Sequence, residues 1–192
     1  SVPLLLISAP VLLVAGALVK LFSPGAMFYS QERDGEAGRS IRVWKIRTMV
    51  PNAEAALQEH LFRDPAAKAE WDTYMKLKND PRLVPHVGRL LRRLSIDELP
   101  QLWNVVKGEM GLVGPRPFPE YHLAKFDHAF RHLRNRVRPG LTGLWQVSAR
   151  SKGDLQAQQE LDSYYIRNWS LWLDAYILAR TVGVVLFGKG AY

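Results

Sequence analysis

The first 19 residues carry no charged side chain, and Lys20 is the first to do so. A run of that length approaches the roughly 18–20 residues that a membrane-crossing helix needs. Pro10 lies in its middle, where the ring opposes a preceding carbonyl and the nitrogen cannot donate, so the pattern predicts a bent helix. Each arm would rise only about 13 Å, less than half of a hydrocarbon core of about 30 Å. Three dispositions are open from these residues: a segment that dips into a bilayer and returns, one that spans it, and a buried hairpin of a soluble protein. Neither a positive leading region nor a small-residue cleavage site marks a secretory signal. The chain begins without Met, which leads us to expect further sequence upstream.

Beyond Lys20 the periodicity changes. Ser23-Pro24-Gly25 reads as a turn, and the β-rich runs 26–31 and Ser40–Ile46, flanking Asp34-Gly35 and Gly38, predict a hairpin with a longer loop. Asp64-Pro65 is a helix-capping residue followed by Pro at the first helical position, so it separates helices over Ala53–Arg63 and 66–77. Further helices are predicted over 87–94, Leu102–Val106, 119–138, 155–168 and 170–186, with stiff loops at 114–117 and 139–143. The fold class is therefore mostly α with a small β-hairpin, α+β. In the last helix Trp169, Leu171, Trp172 and Tyr176 make a broad apolar surface, as an amphipathic interfacial helix or a core helix would.

Composition narrows the chemistry. With 26 Lys+Arg against 18 Asp+Glu, the 192 residues carry a formal charge of +8. Hydrophobic residues at 47% and charged residues at 23% exclude disorder as the default state. The absence of Cys excludes disulfides, thiol catalysis and Cys-ligated metals. Basic residues cluster as Lys76, Lys78, Arg82, Arg89, Arg92 and Arg93, and again as Arg131, Arg134, Arg136 and Arg138. On a helix over 119–138, Arg131, Arg134 and Arg138 share one face that suits phosphates, whether of a ligand or of lipid headgroups. A basic chain with six Trp could also bind nucleic acid. The uncharged first segment argues against that.

The candidate chemical centre is Ser95-Ile96-Asp97-Glu98-Leu99-Pro100. Ser95 and Glu98 have the spacing of a capping box, which would make the stretch purely structural and is compatible with a non-catalytic membrane scaffold. Pro100 opposes that, because inside a helix it would remove a backbone bond. If the helix instead begins at Pro100, Asp97 and Glu98 stand just before its positive end. Asp97 would there stay ionised and nucleophilic beside Arg92, and Glu98 could hold a divalent cation. Gly183–Ser/Thr-type phosphate-loop chemistry is not offered by the final Gly-rich stretch, because the hydroxyl position is Gly190. His128 and His132 lack the Glu of a zinc-protease motif.

Six segments, in this order, resemble the bacterial sugar transferases, the monotopic polyprenyl-phosphate phosphoglycosyl transferases. They are Phe28-Tyr29-Ser30-Gln31-Glu32-Arg33-Asp34-Gly35, Lys45-Ile46-Arg47-Thr48-Met49, Asn79-Asp80-Pro81-Arg82, the stretch 94–102, Leu112-Val113-Gly114-Pro115-Arg116-Pro117 and the stretch 138–147. The resemblance implies transfer of a sugar-1-phosphate from a UDP-hexose to undecaprenyl phosphate with release of UMP. It makes Asp97 the nucleophile of a covalent phosphosugar intermediate, Glu98 the Mg²⁺ ligand, and Arg92 and Arg116 the cations beside them. Arg47, Arg138 and Gln146, within the matching motifs, and Arg150, just beyond the last of them, are carried over as substrate- or phosphate-binding residues.

The same resemblance implies that residues 1–22 form a re-entrant membrane helix broken at Pro10, although the Ser usual before that Pro is Ala9 here. Residues 23–192 would be a catalytic domain with interfacial helices on the cytoplasmic face of the bacterial inner membrane. The expected partners are a UDP-hexose, undecaprenyl phosphate and phospholipid, with no nucleic acid and with homo-oligomerisation left open. The insertion 51–78 and the stretch 144–151 look like those of large hexose-1-phosphate transferases, making galactose the first expectation and glucose the second.

Overall fold

The computed structural model describes residues 1–74, 77–148 and 155–187. Its first element, α1 (Val2–Phe22), is a 21-residue helix that runs through Pro10 without interruption, which corrects the break expected there. The Ser8 hydroxyl, two residues earlier, donates to the Leu5 carbonyl at 2.9 Å. Ser8, Ala15, Gly16 and Val19 are its buried residues and recur at helical spacing on one stripe. Ala15 and Val19 pack with Ile46, Val87 and Leu91, with Leu12 and Ile96 against the same cluster. A Cβ at Gly16 would lie 3.0 Å from Met27 Sδ, so the missing side chain lets the following segment turn back closely. Much of the rest of α1 is exposed and apolar, Leu6, Ile7, Leu13 and Leu21 among it.

Strand β1 (Phe28–Asp34) pairs antiparallel with β2 (Ser40–Ile46), setting Tyr29 opposite Lys45 and Asp34 opposite Ser40. The hairpin lies where the pattern predicts it, with β1 extending to Asp34. Next come α2 (Ala53–Arg63) and α3 (Pro65–Tyr74). Asp64 caps α3 by accepting from the N–H groups of Ala66 at 2.9 Å and Ala67 at 3.1 Å. This helical pair closes on its own small core of Leu57, Ala67 and Leu77. Then follow α4 (Gly88–Arg93), a 3₁₀ turn over Ile96–Gln101, α5 (Leu102–Val106) and β3 (Gly111–Val113). The remaining elements are α6 (Glu120–Leu123), α7 (His128–Arg134), β4 (Gly140–Thr142), α8 (Leu144–Ser148), α9 (Leu155–Arg167) and α10 (Leu171–Phe187).

Two expectations are corrected. The single helix expected over 119–138 is broken into α6 and α7, because Asp127 starts a new helix by accepting from the Phe130 N–H at 2.7 Å. Phe118, Leu123, Phe126 and Phe130 form one cluster across this break. The loop expected over 139–143 contains β4, which pairs in parallel with β3 so that Gly111 faces Gly140 and Val113 faces Thr142. Three-residue strands have no local signal of their own; each gains its hydrogen bonds only from the distant partner.

The β3–β4 crossing is tight. The Gly114 N–H donates to the Thr142 carbonyl at 2.9 Å and the Gly140 N–H to the Pro115 carbonyl at 2.9 Å. A Cβ at Gly140 would stand 2.1 Å from the Gly114 nitrogen and 2.6 Å from the Thr142 oxygen. These are backbone atoms that cannot rotate away. Gly140→Ala is therefore expected to lower stability by about 3 kcal/mol or more, read as a fall in melting temperature of the detergent-solubilised protein. Gly183→Ala in α10 meets open space and lowers it not at all.

Candidate active site

Asp97 and Glu98 lie on the 3₁₀ turn, directly after Ser95, whose backbone is left-handed (φ 55°). Such a conformation in a non-Gly residue is costly and is held by its surroundings. Here the turn shares the apolar cluster of α1, β2 and α4 through Ile96. The capping-box alternative is excluded: Ser95 makes no side-chain cap, and the Glu98 side chain points elsewhere. Pro100 does not start the helix either. It sits inside the 3₁₀ turn, and α5 begins at Leu102.

Glu98 is clamped by two cations. Oε1 accepts from Lys45 Nζ at 2.7 Å and from Arg116 Nη2 at 2.5 Å, and Oε2 accepts from Arg116 Nη1 at 3.2 Å. Burial alone would raise the Glu98 pKa, but the Arg116 and Lys45 charges outweigh it and hold the carboxyl far below the usual carboxylate range. Burial pulls the Lys45 ammonium down, opposed by Glu98, whereas Glu98 pushes the Arg116 guanidinium up.

Asp97 behaves in the opposite way. It is 7% exposed, and burial, then the Glu98 charge, push its pKa up to about 6, with Lys45, Arg92 and Arg116 opposing. The carboxylate is thus still mostly ionised at neutral pH but more basic than an ordinary one. Two adjacent carboxyls with pKa values driven apart can take separate roles, one permanently anionic and one poised to bond an electrophile.

Arg92, from α4, is held by a hydrogen bond from Nε to Thr48 Oγ1 at 2.9 Å and lends its charge to Asp97. Arg116 is aimed by a second layer. Arg134 Nη2 donates to the Arg116 carbonyl at 2.6 Å, and Asp34 accepts from the Phe118 N–H, so both sides of Pro117 are fixed. Arg134 itself is paired with Asp34 at 3.0 Å and Asp162 at 2.6 Å, and lies 4.3 Å from the centre of the Phe118 ring.

Of the residues expected at the site, the structure gathers Asp97, Glu98, Arg92 and Arg116. Arg47 is turned to the end of α1, donating to the Ala26 carbonyl at 2.7 Å and to the Ser23 hydroxyl and carbonyl at 3.0 Å each. Arg138 is exposed and pairs with Glu36 at 3.1 Å. Gln146 donates to the Leu141 carbonyl at 3.1 Å, its oxygen buried without a partner. Arg150 and Lys76 lie outside the described residues. The expected basic face of Arg131, Arg134 and Arg138 is corrected: α7 ends at Arg134, and each of the three has a carboxylate partner. Lys45, Tyr29 and the Arg134 network were not anticipated. Strand alternation and the Tyr29–Lys45 register were the signal that could have found the first two.

Among the described residues no group of three or more His, Asp and Glu gathers to hold a metal. Mg²⁺ asks for less, one or two carboxylates with the rest from substrate phosphate and water. A carboxylate has about four acceptor positions, and three hydrogen bonds from Arg116 and Lys45 leave Glu98 room for one more. The donor set fits that kind of ion.

The family model described as bacterial sugar transferase matches residues 1–188. The chain is 49% identical over 172 residues to the UDP-galactose-lipid carrier transferase of Erwinia amylovora, covering 88% of this chain and 35% of that protein. It is 44% identical over 185 residues to the exopolysaccharide production protein ExoY of Sinorhizobium fredii, covering 96% and 80%. It is 44% identical over 193 residues to the undecaprenyl-phosphate galactose phosphotransferase of Salmonella typhimurium, covering 100% and 40%. The chain thus spans well under half the length of the first and third relatives and four fifths of the second.

The buried Asp34–Arg134–Asp162 group gives a pH signature. Burial, with Asp34 as a like charge sharing the same guanidinium, pushes Asp162 up to about 6, although Arg134 opposes this. A folded-state pKa above the unfolded value means the native chain takes up this proton first as pH falls. Asp162 therefore favours the fold at pH near 4 and progressively loses that contribution as pH rises through about 6. Between pH 5 and 7.5 the melting temperature of wild type is expected to fall relative to that of Asp162→Asn as pH rises, because the neutral amide lacks this titration; a constant difference between the two curves would show that Asp162 does not titrate there.

Proposed function

This chain belongs to the bacterial sugar transferase family, and we propose that it transfers a hexose-1-phosphate from a UDP-hexose to undecaprenyl phosphate, releasing UMP. The observation that carries the reading is the buried carboxyl pair, with Glu98 clamped by Lys45 and Arg116 and Asp97 left basic beside Arg92. An Asp97 oxygen attacks the sugar-bearing phosphorus. The bond from that phosphorus to the bridging oxygen breaks, the oxygen leaves on UMP, and a sugar phosphate remains on Asp97. A phosphate oxygen of the lipid then attacks the same phosphorus, and the Asp97 carboxylate is released as the lipid diphosphosugar forms. Each displacement is mainly a matter of positioning and charge stabilisation, which the surrounding cations supply.

Glu98 would hold Mg²⁺, which offsets phosphate charge when bound. Arg116 and Lys45 orient Glu98 and keep it ionised, while Arg92 favours the charged form of Asp97. The relatives named for galactose support galactose-1-phosphate as the cargo, with glucose-1-phosphate second, and ExoY supports a first membrane step in exopolysaccharide synthesis.

The lipid substrate sets the location at the cytoplasmic face of the inner membrane. The exposed apolar residues of α1, Leu6, Ile7, Leu13 and Leu21 among them, support membrane insertion of residues 1–22, with residues 23–192 at the surface. The re-entrant geometry rests on the family resemblance, since α1 itself runs through Pro10. Exposed Trp169, Leu171, Trp172 and Tyr176 at and within α10 support an interfacial position for that helix.

Detergent-solubilised protein given Mg²⁺, undecaprenyl phosphate and a panel of UDP-hexoses is expected to release UMP with one preferred donor. Asp97→Asn is expected to lower the rate by about 10³-fold or more and Glu98→Gln by about 10²-fold or more. Activity that survives Asp97→Asn sinks the nucleophile assignment, and silence with every donor revives a scaffold role. For topology, Cys introduced near Ser1 and near Lys20 should label from the same side of a vesicle. Labelling from opposite sides means that the helix spans.

A further inference from the structure

The cations of the site differ in what already holds them. Lys45 and Arg116 are bound to Glu98, and Arg92 to Thr48. Arg33 is the exception. Its Nη2 donates to the neutral amide oxygen of Gln31, and among the described residues it makes no ion pair with a carboxylate. Burial depresses its pKa, with Tyr121, Arg116, Tyr29 and Asp34 its main electrostatic neighbours. A half-buried guanidinium bonded to a neutral group, beside a second guanidinium, is an electrostatic cost that an anion would relieve.

Position defines which anion. The cations acting most strongly on Asp97 are Lys45, Arg92 and Arg116. Tyr29 stands opposite Lys45, whose ammonium bonds Glu98 at 2.7 Å, so it lies beside the dyad, and Arg33 follows it along β1. Tyr29 and Arg33 are four residues apart on β1, hence on the same face and about 13 Å apart along the strand. Arg33 therefore lies one step farther from the nucleophile than Arg116 does. Beyond it, at the tip of the hairpin, is a cavity of about 230 Å³ lined by Arg33, Arg39 and Arg131 and by the carboxylates Glu32, Asp34 and Glu120. Tyr121, next to Glu120, is 72% exposed and is the strongest neighbour of Arg33 after burial is counted.

We propose that Arg33 binds the nucleotide-side phosphate of the donor, the one that departs with UMP, and directs the nucleoside towards the hairpin-tip cavity. This rests on the transfer reading above and deepens it. It assigns the two phosphates of one nucleoside diphosphate to two places, the attacked phosphate beside Asp97 and Arg92 and the departing phosphate beside Arg33, with Arg116 between them. Leaving-group charge that develops on the departing phosphate then meets a guanidinium that is in no ion pair among the described residues, although Asp34 acts on it from nearby.

The two half-reactions separate the outcomes. Formation of the covalent intermediate from UDP-hexose, discharge of preformed intermediate by undecaprenyl phosphate, and equilibrium binding of UDP are measured for wild type, Arg33→Gln and Arg33→Lys. Arg63→Gln, which removes a surface cation paired with Glu59, is the control. Arg33→Gln is expected to weaken UDP binding about tenfold and slow intermediate formation by about 10–10²-fold, with discharge unchanged. Arg33→Lys, which keeps the charge and checks folding, is expected to recover part of the loss. UDP affinity and intermediate formation equal to wild type in Arg33→Gln overturn the assignment, as does an equal loss in both half-reactions. If wild type itself neither binds UDP nor forms an intermediate, the transfer reading fails and takes this assignment with it.

Discussion

Everything about this fold turns on burying two carboxylates that are adjacent in sequence. Asp97 and Glu98 sit in a 3₁₀ turn that is packed on one side against α1 and β2, so their charges cannot be left to water. Neutralising them takes cations from three separate parts of the chain: Lys45 from β2, Arg92 from α4 and Arg116 from the loop after β3. Removing any one partner from such a cluster leaves an uncompensated buried charge, so the hairpin, α4 and the 114–118 loop have to be assembled together. The asymmetry of the cluster is the useful part. The clamp is made to Glu98, and Asp97 receives charge from nearby cations without an ion pair among the described residues, so it remains the more basic of the two.

Rigidity is built outward from that cluster. Arg116 can make its bidentate contact only because Arg134 holds its carbonyl and Asp34 holds the Phe118 N–H, and because Gly114 and Gly140 let β3 and β4 approach to backbone contact. Arg134 is in turn fixed between two carboxylates and the faces of Phe118 and Phe130. In the proposed reaction, a carboxylate held this way would meet its phosphorus without first having to be ordered, which is where positioning lowers a barrier.

The same turn also meets the apolar helix. Ile96, one residue before Asp97, packs on the cluster that includes Ala15 and Val19 of α1, and Arg47 closes the chain behind that helix. The segment suited to lipid and the segment suited to phosphate chemistry therefore share one core. In the proposed function, a lipid-borne phosphate presented at the bilayer surface would lie near Asp97 because of this shared packing.

Local order was legible in the amino-acid sequence. The ends of α2 and the Asp64 cap of α3 follow from propensity and capping chemistry, the hairpin from β-rich runs around Gly and Asp, and α1 from an uncharged run. Resemblance across ordered motifs singled out Asp97, Glu98, Arg92 and Arg116, which the fold brings together. What could not be read was anything decided by partners far along the chain. Arg47, Arg134 and Arg138 look alike in sequence, yet one closes a turn, one is sealed between Asp34 and Asp162, and one is paired on the surface. A guanidinium is the same chemistry everywhere until burial and its nearest carboxylate are known. Periodicity merged α6 and α7 because it has no knowledge of the Phe cluster that bends them, and it passed over β3 and β4 because three residues hold no strand without a neighbour. The sequence by itself determined the elements with local hydrogen bonds and the identity of the acidic pair. Only the tertiary structure decided which cations meet that pair, because electrostatic partnership depends on distance in space.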